Sequence, residues 1–72
     1  MSQSIKLLDV VALTETLPKR RLHRGQVGTV VEQLDPGVFE VEFTDNDGRT
    51  FASLALKTNQ LMVLHYQPLE AA

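Results

Sequence analysis

The chain has 72 residues, 43% of them apolar, with seven cations against nine acids for a net charge of −2 and no cysteine. This length suits one domain that hides only roughly 60% of its unfolded surface, and the lack of thiols excludes disulfides and thiolate metal sites. The composition argues against wholesale disorder, no apolar run nears the ~18–20 residues of a membrane-spanning helix, and Met1 to Lys6 lack the apolar stretch of a secretion signal, so a cytoplasmic protein is expected.

Leu7 to Thr14, with Leu8, Val10, Val11, Ala12 and Leu13, predicts a first strand. Leu17-Pro18 ends it, because proline offers no ladder donor and biases the residue before it. A loop from Pro18 to Gly25 then feeds a second strand, Gln26 to Leu34. Alternation there sets Val27, Thr29 and Val31 on one face and Gly28, Val30 and Glu32 on the other. Asp35-Pro36-Gly37 is a turn, with proline presetting φ and glycine accepting a positive one. In the third strand Phe39, Val41 and Phe43 alternate with Glu40, Glu42 and Thr44, the cleanest two-residue period in the chain.

Asp45-Asn46-Asp47-Gly48 predicts a second turn, and Thr50 to Leu56 a fourth strand offering Phe51, Leu54 and Leu56 to the interior. Lys57 to Gln60 suits a single 3₁₀ turn, and Leu61 to Leu64 a short fifth strand. The expected core unites Val27, Val31, Phe39, Val41 and Phe43. These elements predict an all-β fold, a small five-stranded SH3-like barrel with a short 3₁₀ turn before the last strand, whose closure protects strand edges. It forms one domain over 1–72, with the body at about 5–64. An OB-fold would want a helix between its third and fourth strands, where Asp45 to Gly48 leaves no space. The tail, 65–72, reads as frayed unless Tyr66 and Leu69 dock on a partner.

Leu7-Leu8-Asp9-Val10-Val11-Ala12-Leu13, Arg24-Gly25-Gln26-Val27-Gly28-Thr29-Val30-Val31, Phe39-Glu40-Val41-Glu42-Phe43 and Asp47-Gly48-Arg49-Thr50 together resemble an uncharacterised bacterial family of small stand-alone SH3-like proteins. That family is frequent in cyanobacteria and classed as a domain of unknown function. The resemblance spans roughly Ile5 to Leu64; it implies the fold and the cytoplasm but no activity or site residues. Gly25-x-x-Gly28-x-Val30 also resembles the glycine-valine core of the KOW motif of ribosomal and elongation proteins. The same strand order is similar to the small SH3-like components of photosynthetic electron-transfer complexes, photosystem I among them. Two glycines and a valine describe the start of a barrel strand as well as they describe a ligand site.

Charge distribution carries the functional expectation. Lys19, Arg20, Arg21 and Arg24 are four of the seven cations, with His23 among them, which leaves three cations against nine acids elsewhere. Such a loop steers an acidic partner or binds phosphates; its plain alternative is a solvated loop. Glu40 and Glu42 with Glu32 on the neighbouring strand form either an acidic ridge, for a basic partner or a weak divalent cation site, or the wet face of a half-buried sheet. Asp45-x-Asp47-Gly48 looks like the opening of a calcium loop, but Arg49 and Leu56 stand where ligands belong, so a turn is the reading.

His23 and His65 read as surface histidines, and Ser2, Ser4 and Ser53 lack any activating motif. With little room for a pocket, an enzyme is not expected, nor is any metal or cofactor. The reading is a cytoplasmic protein-binding module, an accessory subunit or antitoxin-like partner of a co-encoded protein. Its contact surface is Lys19, Arg20, Arg21, His23 and Arg24, together with exposed strand edges and the tail, and its partner is a protein acidic at the contact. The alternative is a KOW-like nucleic-acid binder using loop 19–24, ranked lower because net charge is negative and aromatic residues are few. A homo-oligomer is compatible with so thin a core.

Overall fold

The computed structural model describes residues 4–69. Five strands, β1 (Val10–Leu13), β2 (Val27–Asp35), β3 (Val38–Thr44), β4 (Thr50–Lys57) and β5 (Leu61–Val63), form one antiparallel sheet in the order β4-β3-β2-β1-β5. A 3₁₀ turn at Pro18–Arg20 lies between β1 and β2, and a second, Thr58–Gln60, leads directly into β5. Among the described residues there is no α-helix, and hence none long and apolar enough to cross a membrane.

The alternation in β3 decides which way the sheet curls. Phe39, Val41 and Phe43 are buried while Glu40 and Glu42 stay half-exposed, so the apolar face turns inward and the carboxylates keep water. Pro36 and Gly37 make the β2–β3 turn, with Gly37 at φ +73°. The carbonyl of Gly37 accepts from the Thr58 N–H at 3.0 Å, which ties that turn to the second 3₁₀ turn. At the β3–β4 turn the Asp45 carboxylate accepts the N–H of Asp47 at 2.9 Å and of Arg49 at 3.0 Å.

β4 and β5 stand at opposite ends of the sheet order. Even so, Leu54 and Leu56 of β4 join Leu61 of β5 in one core cluster with Val11, Leu13, Val30, Phe39, Val41 and Phe43. Twist brings the ends round, and the sheet closes through side chains. Each fully buried aliphatic or aromatic side chain there is worth ~1.5–3 kcal/mol.

Three expectations need correction. β1 begins at Val10, because Lys6 to Asp9 fold into a turn in which the Asp9 carboxylate accepts the Lys6 N–H at 2.9 Å; Leu7 and Leu8 are exposed. The inward face of β2 is Gly28 and Val30, whereas Val27 is 47% exposed and Val31 half-buried. A Cβ on Gly28 would stand 2.7 Å from Val41 Cγ1 and 2.8 Å from the Glu42 carbonyl, so the glycine marks a close backbone approach. A register shift between Val30 and Glu32 sets Val31 aside. Phe51 is 50% exposed, since Leu54 and Leu56 fix the inward parity of β4 on Ala52 instead. Leu22, flanked by charged and polar residues in the loop, is fully buried.

In the tail His65 to Leu69 are exposed and form no strand. Residues 1–3, including Ser2, and the tail's last residues, 70–72, lie outside the described residues.

Candidate functional site

The basic loop is held by its backbone, which leaves its charges free to face outward. Leu17 and Leu22 exchange hydrogen bonds, N–H to carbonyl, at 2.8 and 3.2 Å, and Arg21 donates its N–H to the Pro18 carbonyl at 3.1 Å while adopting φ +57°. Beyond it, the His23 N–H donates to Gln26 Oε1 and the Arg24 N–H to Thr16 Oγ1, each at 3.0 Å. Gly25 donates its N–H to the Leu13 carbonyl at 2.7 Å. With the Leu22 side chain sunk in the core, this segment is anchored from both sides.

Lys19, Arg20, Arg21, His23 and Arg24 are all exposed, and no described acid forms an ion pair with any of them. Arg20 crosses to one end of the sheet, its Nη2 donating to the Ser53 carbonyl of β4 at 3.5 Å. Arg24 lies beside β1 and β5, where with Leu13, Thr14, Gly25 and Met62 it lines an open hollow of ≈ 320 Å³.

The outside of the sheet has two unlike faces. On the β2–β3–β4 side, Glu32 stands directly opposite Glu40, and Glu42 follows one pleat along. Ser53 Oγ donates to Glu40 Oε2 at 2.6 Å and Thr50 Oγ1 to Glu42 Oε1 at 3.5 Å. Neutral hydroxyls attend these carboxylates. Among the described residues no three His, Asp or Glu side chains converge as a metal site.

On the β2–β1–β5 side, register lines up Val27, Ala12 and Met62 in one row. The neighbouring row holds Thr29 opposite Val10, whose carbonyl accepts the Leu64 N–H at 2.9 Å. Val27 and Met62 are about half exposed, at 47% and 50%, although nothing polar interrupts their row. The sequence reading missed this apolar face. Its signal was there: Val10 to Leu13 and Leu61 to Leu64 do not alternate, and such runs belong to strands covered on both faces.

A family model described as a domain of unknown function (DUF4926) matches residues 7–63. No curated protein and no solved structure is a significant match.

Proposed function

Given that the chain belongs to the DUF4926 family, a domain of unknown function, we propose from its own geometry that it is a protein-binding module whose anchored basic loop recognises an acidic surface. The observation that carries this reading is a loop with its backbone tied at both ends and its cations exposed without described acidic partners. A backbone already held in place lowers the ordering cost of binding, and the field of the cations speeds encounter with a surface of opposite sign. The strand order β4-β3-β2-β1-β5 with a 3₁₀ turn before β5 supports an SH3-like barrel as the scaffold. A bacterial, cytoplasmic accessory subunit or antitoxin-like inhibitor of a co-encoded protein suits so small a cysteine-free chain.

The test is capture of the partner on the tagged full chain from its native host, followed by association rates for wild type and the Lys19→Glu/Arg21→Glu double variant. These two positions avoid Arg20, whose guanidinium also holds β4. The double variant should keep its melting temperature and associate several-fold more slowly at low salt, the gap closing as ionic strength exceeds the Debye regime. Equal rates at low salt would leave the loop merely solvated. Salt-steep, sub-micromolar binding of RNA or DNA would transfer the loop to the nucleic-acid reading.

A further inference from the structure

We infer that the hollow between Arg24 and Met62, with the apolar row Val27–Ala12–Met62 beside it, is a side-chain pocket for an acidic segment of another protein that carries an apolar anchor residue. This deepens the proposed function and rests on it, since the segment's carboxylates are what the basic loop would attract. Three observations meet here. The hollow of ≈ 320 Å³ is lined by Leu13, Thr14, Gly25 and Met62 together with one cationic residue, Arg24. The N–H groups of Arg24 and Gly25 are bonded to Thr16 Oγ1 and the Leu13 carbonyl, so the backbone that carries the Arg24 side chain is fixed at the edge of the hollow. The row beyond the rim leaves Val27 of β2 and Met62 of β5 half-exposed on either side of the buried Ala12 of β1.

Charge selects the occupant. No described acid pairs with Arg24, so a carboxylate bound there gains a charge-assisted bond that displaces no internal one. An apolar side chain one or two residues away then covers Met62 and Val27, and Met is well suited to adapt to varied anchors. A basic or neutral segment would satisfy only half of this arrangement.

The experiment pans a random dodecapeptide display library on the full chain and maps the best binder by amide NMR titration on wild type and Met62→Ser. Acids should be enriched together with an aliphatic or aromatic residue within two positions. The amides of Leu13, Thr14, Arg24, Gly25, Val27 and Met62 should move, and Met62→Ser, exposed enough to keep the fold, should weaken binding about tenfold. Replacing the peptide's anchor by serine should weaken wild type equally and leave Met62→Ser unaffected. Enrichment of acids without an anchor, with shifts confined to 19–24, would overturn the pocket and leave the acidic-partner reading standing. Absence of acid enrichment would overturn both. Concentration-dependent shifts of Met62 and Val27 without peptide would give the face to a second copy and overturn the inference as well.

Discussion

The two outer faces of this one sheet are built from the same strand β2 yet differ in kind. Toward β3 and β4 the outward residues are Glu32, Glu40, Glu42 and Ser53, which need nothing but water and each other's hydroxyls. Toward β1 and β5 they are Val27 and Met62, each about half exposed on either side of a buried Ala12, and these two gain from being covered. A small barrel has only one interior to fill, so an apolar outer face is surplus to folding. Exposed apolar surface of that kind marks where a partner can dock.

The comparison breaks first at the interior both faces share. Phe43 is fully buried and its strand partner is Gly28, so Phe43→Ala should cost ~3–5 kcal/mol and unfold much of the population in a urea titration. An unchanged midpoint would mean that the faces do not rest on a common core. Next comes Gly28→Ala, at ~1–3 kcal/mol, because the new Cβ collides with Val41 and with the Glu42 backbone.

On the acidic face Glu32→Lys should raise stability by ~0.2–1 kcal/mol, by replacing a like-charge pair opposite Glu40 with an attractive one. The gain should fade as salt is added; a salt-independent gain would point to strand propensity in place of charge. The smallest effect belongs to the apolar face. Met62→Ser should leave the thermal midpoint within the shift that ~0.5 kcal/mol produces, since the residue does not belong to the core cluster. A loss of several kcal/mol would show that this face holds the fold together.

How far these features could be read from sequence depended on what each residue has to bury. β3 was legible because its large apolar and charged residues alternate, and the turns because Pro36, Gly37, Asp45 and Gly48 have restricted or permissive backbones. β2 misled: three β-branched residues, Val27, Thr29 and Val31, outweigh a glycine that has no side chain to count, yet Gly28 is inside because β3 approaches too closely for anything larger. Phe51, expected inside with Leu54 and Leu56, has the opposite parity to both and is half exposed. In the candidate site the clustering of Lys19, Arg20, Arg21 and Arg24 is visible in the sequence as charge. That Arg20 reaches β4 while Arg24 lines a hollow is not, because it depends on which distant strand each side chain meets.

The pairing of β1 with β5 also dictates an order of events during synthesis. β2, β3 and β4 form a meander of neighbours in sequence, so they can zip together while the chain is still growing. Val11 meets Val63, and Leu13 meets Leu61, only once the far end has been made. Until then the first strand to emerge carries an apolar run without its β5 neighbour. A nascent chain of this protein therefore passes through a stage in which Val10–Leu13 is the segment most in need of a chaperone's shelter.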